Sequence, residues 1–519
     1  MSKKKKLIII GLDGATWTVL NPLLKWGHLP NINELVNNGS HGTLESTFPP
    51  LTIPAWLSMA TGKNPGKLGV FDFVTKKEND FSGRVVNSHD FKKNNTYWDL
   101  LNQYGFITYI INHPLIYPIY DINGVMISGL GTPPDVQKIS PSDVSSTLEK
   151  LTNGYPTSLP SNLRSKEKFL YYLNEISYKQ HIAAKFLFNQ NWDLILYVTS
   201  ISDWLQHFMW EDWINTQSEY HKKFIGIWKQ IDKNIGELLS KYKGNCNIFI
   251  VSDHGFGSLK QNFNLTKWLY VNGYLKKKTF SNIRSVARFF ISKIFHITKS
   301  ISFVRRIYNL FLKRQQSGSF LNIGYPIPPD VDINKSIVIP GHTSGYQGFL
   351  YLKESCDIAL KNKIISQLKQ TAKDYDFKIE FFEANDIYRG DKAKLAPDII
   401  FKINNFNCNI QISSLKGEIF SNKRIAKKES GVHRTEGVFI AYGPDISNNQ
   451  NHQNFRIYDV FPTILHMFNI PIPKNIDGQV LKHLFNKNSE YFSRNSKIEF
   501  RSHRSLKDKI KDLKKRGKI

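Results

Sequence analysis

Short apolar runs followed by an acidic residue recur along the chain, and they constrain the fold more than any other feature. The runs and the acids after them are Leu7–Ile10 with Asp13, Asp193–Val198 with Asp203, and Cys246–Val251 with Asp253. Mostly apolar runs of this length are typical of strands that are buried on both faces. Segments with helical spacing separate them, as at 168–189 and 220–242. Because strands that alternate with helices build parallel sheets, the sequence predicts an α/β fold with a largely parallel central sheet and helices on both faces.

Acidic and imidazole side chains lie at or near predicted strand ends. The candidates are Asp13, Asp203, His207, Asp253, His254 and His433. The carboxyl ends of parallel strands meet at one edge of a sheet, where ligands bind in open α/β folds. Asp203 and His207 are four residues apart, so one helical turn places both on the same face. Such sets suit Zn²⁺ or Mn²⁺, and two ions about 4 Å apart can clamp the attacking and leaving oxygens of a phosphoryl transfer. Taken singly, an Asp-His pair at a strand end is often only a cap of the backbone.

A single hydroxyl group, that of Thr52, stands between a Pro-Pro pair and a predicted helix. Pro54 suits the first turn of a helix, and the residues from Ala55 to Ala60 are mostly good helix formers. The start of a helix favours an oxyanion, or an alkoxide that attacks phosphorus, because unpaired N–H groups and the positive end of the dipole lie there. The alternative is that Thr52 is only an N-cap. The acidic and imidazole clusters elsewhere in the chain favour a nucleophile.

The composition indicates a folded protein that meets an anionic partner. The 519 residues are 41% hydrophobic and 13% aromatic, and 70 Lys and Arg against 43 Asp and Glu give a net charge of +27. The three cysteines are far apart and form no C-x-x-C pair, which argues against a disulfide framework or a thiolate zinc site. The apolar run after the N-terminal lysines is too short for a signal peptide, and no segment reaches the roughly 18 apolar residues of a spanning helix. We expect a cytoplasmic protein, either free or peripheral to a membrane.

The regular alternation of strands and helices is interrupted in the second half of the chain. We therefore predict a discontinuous catalytic domain of residues 1–257 and 341–486, a basic helical insertion or cap at 258–340, and a basic tail at 487–519. Within the insertion, residues 284–314 have a basic amphipathic pattern at helical spacing. This pattern fits a helix packed on the core and equally a helix that lies in the plane of an anionic membrane. No specific nucleic-acid partner is expected.

Several motifs, in the order in which they occur, resemble those of one known family. They are Ile10-Gly-Leu-Asp13-Gly, Phe48-Pro-Pro-Leu-Thr52-Ile-Pro-Ala-Trp56, Thr61-Gly62, Asn64-Pro-Gly-Lys-Leu-Gly-Val70, Asp203-x-x-x-His207, Ser252-Asp253-His254-Gly and Gly431-x-His433. The family is the type I phosphodiesterase/nucleotide pyrophosphatase branch of the alkaline phosphatase superfamily. The resemblance covers most of residues 5–260 and 390–485. It implies an alkaline-phosphatase-like three-layer sandwich.

The resemblance also implies a reaction and its residues. Thr52 would be the nucleophile and would form a covalent phosphothreonine that water later resolves. Two divalent ions, zinc or alternatively manganese, would be held by two sets of side chains: Asp13, Asp253 and His254 in one, and Asp203, His207 and His433 in the other. The first ion would activate Thr52, and the second would carry the water or the leaving group. The substrate would be a phosphate ester or pyrophosphate of a nucleotide, a sugar or a lipid-linked group.

Two positions depart from the family pattern. The phosphodiesterases of the family place an Asn after the nucleophile helix to steady the phosphoryl oxygens, but here Asp72 and Phe73 follow Gly69-Val-Phe, and no Asn is present. Leu68 stands where a His is common. Asp72 fits a ligand of a metal or sugar hydroxyl and equally a helix cap. Alternative functions are a phosphomutase of the same superfamily and a non-catalytic protein that binds anions or membranes on this fold; the filled nucleophile and metal positions argue against the latter.

Overall fold

The structure is a computed structural model, and it describes most of the chain. The described residues are 6–77, 80–133, 136–160, 163, 165–278, 331–341, 346–353, 358–412, 414–423, 429–448 and 450–498. The amphipathic stretch 284–314 and residues 499–519 of the basic tail lie outside them, so lipid contact and cytoplasmic location stay predictions. Within the described ranges, no helix combines the length and the apolar character needed to cross a lipid bilayer.

Strands and helices alternate over much of the chain. The strands are β1 (Leu7–Leu12), β2 (Ser40–Glu45), β3 (Val74–Lys77), β4 (Asp80–Val85), β5 (Thr108–His113), β6 (Gly124–Ser128), β7 (Ile139–Ser140), β8 (Leu194–Thr199), β9 (Asn247–Val251), β10 (Gly255–Ser258), β11 (Gln261–Asn264), β12 (Lys276–Lys277), β13 (Val331–Asp332), β14 (Val338–Pro340), β15 (Gly348–Leu352), β16 (Ile379–Phe382), β17 (Ile399–Ile403), β18 (Cys408–Gln411), β19 (Phe420–Ser421), β20 (Gly431–Arg434), β21 (Glu436–Tyr442) and β22 (Gln450–Arg456). The helices are α1 (Trp17–Lys25), α2 (Pro30–Asn37), α3 (Thr52–Thr61), α4 (Pro65–Leu68), α5 (Ser88–Lys92), α6 (Tyr97–Gln103), α7 (Ser142–Thr152), α8 (Lys166–Phe188), α9 (Ile201–Ile214), α10 (His221–Leu239), α11 (Leu265–Val271), α12 (Ile358–Asp374), α13 (Ala384–Ile387), α14 (Val460–Met467) and α15 (Glu490–Ser493).

The main sheet has nine strands in the order β22-β2-β21-β9-β1-β8-β5-β6-β7. The strands β9, β1, β8, β5 and β6 are parallel to one another, whereas β21 and β7 run antiparallel to their neighbours. The centre of the sheet is β1, where Leu7 pairs with Leu194 on one side and with Asn247 on the other. The predicted parallel centre of the sheet is therefore confirmed.

Helices cover both faces of this sheet. Alternate residues of β1 contribute to two separate cores: Ile8 and Ile10 to one, Leu7 and Ile9 to the other. The first core contains side chains of α1, α2, α8, α9 and α10, and the second contains side chains of α3, α6 and α14. Since all six residues of β1 are buried, its uniformly apolar sequence matches its position between two helical layers. The predicted three-layer α/β architecture is confirmed.

A second, smaller unit is built on the four-stranded sheet β14-β15-β17-β16. Its strands are antiparallel, and its core is shared with α11, α12 and β11. The strands β15 and β17, which follow the predicted insertion, belong to this small sheet and not to the main one. Residue 340 is the predicted end of the insertion, yet strands from both sides of it share one core. The predicted domain limits stay predictions.

Candidate active site

The central strands bring the acidic residues to one edge of the main sheet. The adjacent parallel strands β1, β8 and β9 end at Leu12, Thr199 and Val251. Asp13 and Asp253 follow two of these ends, and α9 begins directly after the third and carries Asp203. The parallel register of these strands therefore places residues that are far apart in the chain at one edge of the sheet, as the sequence pattern predicted.

Asp13, Asp253 and His254, here called the carboxylate set, converge in the interior. Their ligand atoms all lie within 4.8 Å of one another, and the three residues are fully buried. His254 Nε2 is 3.2 Å from Asp253 Oδ2 and 3.6 Å from Asp13 Oδ1. The other carboxylate oxygens are held in place, since Gly14 N–H donates to Asp253 Oδ1 and the Ser200 hydroxyl donates to Asp13 Oδ2. Asp13 Oδ1 and Asp253 Oδ2 accept no hydrogen bond from any described residue.

Asp203, His207 and His433, here called the imidazole set, adjoin the carboxylate set. Asp203 Oδ1 lies 3.4 Å from His207 Nε2 and 3.3 Å from His433 Nε2, and the two Nε2 atoms are 2.9 Å apart. Asp203 Oδ1 is also 4.0 Å from His254 Nε2, and the His254 and His433 rings stack with their centroids 3.6 Å apart. The six predicted side chains thus form one continuous cluster.

Backbone carbonyls select the tautomer of each imidazole. The Nδ1 atoms of His254, His433 and His207 lie 3.2 Å from Gly255 O, 2.9 Å from Pro50 O and 3.3 Å from Gly431 O. A carbonyl oxygen only accepts, so each Nδ1 carries a hydrogen and each neutral Nε2 turns a lone pair into the cluster. At 2.9 Å the Nε2 atoms of His207 and His433 need either a shared proton or a cation between them, and this donor set of carboxylates and imidazoles fits a divalent metal.

The pKa values of the carboxylates respond to this crowding. Burial, followed by the charges of Asp253 and Asp203, raises the pKa of Asp13 well above its usual range. Burial also raises the pKa of Asp253 to about 8. Burial acts in the same sense on Asp203, but the charges and hydrogen bonds of His207 and His433 outweigh it and hold the pKa of that carboxyl far below its usual range. The carboxylate set therefore favours either protons or a cation.

The pKa values of the three imidazoles are also shifted in opposite directions. Burial and the neighbouring His433 lower the pKa of His254 well below its usual value, and burial lowers the pKa of His433. Burial also opposes protonation of His207, but the Asp203 carboxylate outweighs it and raises the pKa of that imidazole. Neutral His254 and His433 are the form that binds metal ions.

Thr52 faces this cluster from the start of α3. The N-cap of the helix is Leu51, so Thr52 is the first helical residue and is not the cap. Its Oγ1 lies 3.3 Å from His254 Nε2, and the residue is 3% exposed. Trp56, one turn further along, packs into the core and anchors the helix. The hydroxyl that the sequence singled out is thus directed at the predicted ligands.

Sequence reasoning gave no role to four aromatic side chains that pack beside the cluster, and it did not identify Tyr346 and Phe406 at all. The hydroxyl oxygen of Tyr346, a residue of the segment before β15, lies 3.3 Å from His207 Nδ1. Phe48, Phe73 and Phe406 pack in the same group as Tyr346, and we call these four residues the aromatic wall. Asp72, in contrast, belongs to neither ligand set, and its Oδ1 accepts the N–H of Phe73 at 2.6 Å.

Gly14 offers a test of how tightly the cluster is packed. Its φ is +69°, and a Cβ added there would lie 2.6 Å from the Phe256 ring and 3.3 Å from Asp203 Oδ1. We expect Gly14→Ala to lower the free energy of unfolding in urea by about 2–4 kcal/mol, because the alanine would be strained at a positive φ and its Cβ would clash with Phe256. Catalytic efficiency should fall as well. Gly27→Ala is the matched control, because Gly27 has the same φ of +69° and open space around the Cβ position. Equal losses in both variants would show that packing at the cluster tolerates a methyl group.

The fold and this edge of the sheet define an alkaline-phosphatase-like α/β protein. The model of the family "Type I phosphodiesterase / nucleotide pyrophosphatase" matches residues 7–310, more than half of the chain. The chain belongs to this family and is a hydrolase that acts on phosphoric ester bonds.

Comparison with solved structures agrees on the fold. An inactive form of murine ectonucleotide pyrophosphatase/phosphodiesterase 5, in complex with AMP, matches with a TM-score of 0.51 and 11% identity. The match covers 93% of this chain and 100% of the murine chain. A comparison with curated proteins gives no match. The likeness at this low identity concerns the architecture alone.

Proposed function

We propose that this chain is a two-metal phosphodiesterase in which Thr52 is the nucleophile. The observation that carries the proposal is the position of Thr52 Oγ1, 3.3 Å from His254 Nε2, at a cluster whose imidazole lone pairs point inward. The carboxylate set would hold one divalent ion next to Thr52, and the imidazole set would hold the other. Mixed oxygen and nitrogen ligands favour Zn²⁺, with Mn²⁺ as the alternative.

The reaction divides into two displacements at phosphorus. Thr52 Oγ1 forms a bond to phosphorus, the bond from phosphorus to the leaving-group oxygen breaks, and the Thr52 proton passes through solvent to the leaving-group oxygen. Water then attacks phosphorus and leaves its hydroxyl there, the Thr52 ester bond breaks, and the other proton of the water returns to Thr52 Oγ1. Bound divalent ions would lower the pKa of the attacking hydroxyl and neutralise the charge that develops on the phosphoryl oxygens. Thr52 is buried and its hydroxyl lies 3.3 Å from His254 Nε2, so the hydroxyl is directed at the cluster that would hold the ions.

The aromatic wall supports a substrate with a flat or apolar group next to phosphorus. The wall packs with Leu51 and Val432, the residues that directly precede Thr52 and His433. Phe48 and Phe73 are half-buried, and Phe48 also contacts the Phe382 ring at a centroid distance of 4.7 Å. The resemblance places an Asn after the nucleophile helix, where this chain has Asp72 and Phe73 and no Asn. The AMP bound to the murine neighbour makes a nucleotide ester the first substrate to test.

We expect Phe48→Ala to raise the KM for an aromatic phosphodiester by roughly 5- to 20-fold, with a smaller effect on kcat. The reason is the loss of a ring contact worth about 1–2 kcal/mol to a flat substrate group. Steady-state kinetics on bis(p-nitrophenyl) phosphate measure this split. Tyr171→Ala is the control, because Tyr171 is exposed on α8, away from the aromatic wall. A KM that stays at the wild-type value would remove Phe48 from the substrate site.

A substrate panel combined with metal analysis tests the proposed function directly. Purified protein should contain about two Zn or Mn ions per chain after expression with sufficient metal. Hydrolysis of nucleotide and aryl diesters should exceed that of the corresponding monoesters, in buffers with Zn²⁺ or with Mn²⁺. Protein that binds no divalent ion and cleaves neither class of ester would refute the proposal.

A further inference from the structure

Tyr346 connects the smaller sheet to the imidazole set. It lies two residues before β15, is 3% exposed, and packs with Leu51 and Val432. Its ring centroid is 5.2 Å from that of His433 and 6.2 Å from that of His207. One side chain from outside the main sheet therefore contacts both imidazoles of the same ligand set.

The hydroxyl of Tyr346 faces the nitrogen that sets the tautomer of His207. His207 Nδ1 has two oxygens at 3.3 Å, Gly431 O and the Tyr346 hydroxyl. If Nε2 is to bind a metal ion, Nδ1 carries the hydrogen, and both oxygens are positioned to accept it. The imidazole therefore has two anchors, one from the backbone of β20 and one from the small sheet.

His207 is the imidazole that most needs a second anchor. Its side chain is 16% exposed, compared with 4% for His433 and 0% for His254. Its carbonyl contact is also longer than those of His433 and His254, at 3.3 Å against 2.9 Å and 3.2 Å. A more exposed ring with a longer hydrogen bond has more freedom to rotate away from its partners.

We propose that Tyr346 is a positioning residue for His207. Its hydroxyl and ring hold the imidazole with Nε2 directed at Asp203 and His433, and in this way the small sheet sets the metal affinity of the imidazole set. The inference rests on the proposed two-metal function. It assigns no catalytic step to Tyr346, whose effect on the reaction passes through His207.

Tyr346→Phe isolates the hydroxyl, because the ring and its packing are retained. We expect one of two bound Zn²⁺ ions to bind about 10- to 100-fold more weakly, while the affinity of the other ion is unchanged. Competition with a zinc chelator of known affinity measures both constants in the full-length protein. Cobalt-substituted protein provides a second readout, since its visible absorption should change for one site only.

Tyr388→Phe is the matched control. Tyr388 is 2% exposed, packs against the Phe71 ring, and its hydroxyl has no hydrogen-bond partner among the described residues. We expect this variant to bind both ions as the wild type does. A loss of the same size in both tyrosine variants would overturn the inference, because it would reflect general packing.

The outcomes separate this inference from the proposed function. If wild-type protein binds two ions and Tyr346→Phe binds both with wild-type affinity, Tyr346 has no positioning role and the two-metal function stands. If wild-type protein binds no ion, the proposed function and the inference both fail. If Tyr346→Phe is less stable than the wild type, NMR of the histidine ring nitrogens in the zinc-loaded proteins still tests the inference. The His207 signals should shift in Tyr346→Phe, and those of His254 should not. Unchanged His207 signals would contradict the inference.

Discussion

Replacement of Thr52 by alanine should reduce the hydrolysis of a chromogenic phosphodiester by on the order of 10⁴-fold or more. The variant lacks the oxygen that attacks phosphorus. Among the described residues, no other hydroxyl lies within hydrogen-bond distance of His254 Nε2. The fold should be preserved, because Leu51 and not Thr52 is the N-cap of α3. Metal content should also stay at the wild-type level, since both ligand sets are intact.

Two variants of the same helix make this result interpretable. Thr52→Ser keeps a hydroxyl at the same position and should retain part of the activity. Ser58→Ala removes a hydroxyl that is fully buried on α3 and has no hydrogen-bond partner among the described residues, so its turnover should match the wild type. Acid-quenched mass spectrometry should find a phosphoryl ester on Thr52 during turnover. Undiminished hydrolysis by Thr52→Ala would place the nucleophile elsewhere.

The fold and most of the cluster could be predicted because their signals are local. A uniformly apolar run such as Leu7–Ile10 specifies a strand buried on both faces, and the acid after it is carried to the edge by the register of the sheet. The spacing of Asp203 and His207 on a helix is likewise confirmed, since both lie on α9. Pro54 and the residues after it predicted a helix that begins near Thr52, and α3 does so. Each of these inferences needs only a few neighbouring residues.

The surroundings of the cluster could not be predicted, because they depend on contacts between distant segments. The carbonyl that fixes the tautomer of His433 belongs to Pro50, which is 383 residues away, and any residue type supplies such a carbonyl. Tyr346 is 139 residues from His207, and nothing in its own neighbourhood marks it as a contact of an imidazole. The aromatic wall also draws its members from separate segments, including Phe48 and Phe406. Composition and spacing carry no information about such pairings.

Removal of the metal ions should destabilise the protein, and the loss should grow between about pH 6.5 and pH 8. A ligand that binds only the folded state contributes roughly 2.7 kcal/mol when its concentration is 100 times the Kd, so chelation should lower the Tm by several degrees. Without a cation, burial holds the pKa of Asp253 at about 8 and that of Asp13 above its usual range. Both carboxylates then bind protons in the folded chain at a pH where the unfolded chain has released them.

The direction of the pH effect follows from these shifts. A carboxylate whose folded pKa is raised contributes stability below its unfolded pKa of about 4, and this contribution is lost as the pH rises through the folded value. The raised pKa of His207 acts in the same direction above about pH 6.5. The lowered pKa values of His254 and His433 act in the opposite direction, but their effect is complete by about pH 6.5. Among the groups of the cluster, only destabilising changes therefore remain between pH 6.5 and 8.

Thermal unfolding over this pH range, with chelator and with Zn²⁺, measures the effect. The chelated protein should lose Tm as the pH rises, whereas the zinc-loaded protein should change little, because the cation keeps both carboxylates deprotonated throughout. Asp253→Asn serves as the control for the titrating group: it should bind zinc weakly, and its chelated form should show a shallower dependence on pH. A chelated wild-type protein whose Tm is constant from pH 6.5 to 8 would mean that the buried carboxylates do not repel one another as their positions require. In that case the cluster would not need a cation for its stability, and the argument for metal binding from its geometry would fail.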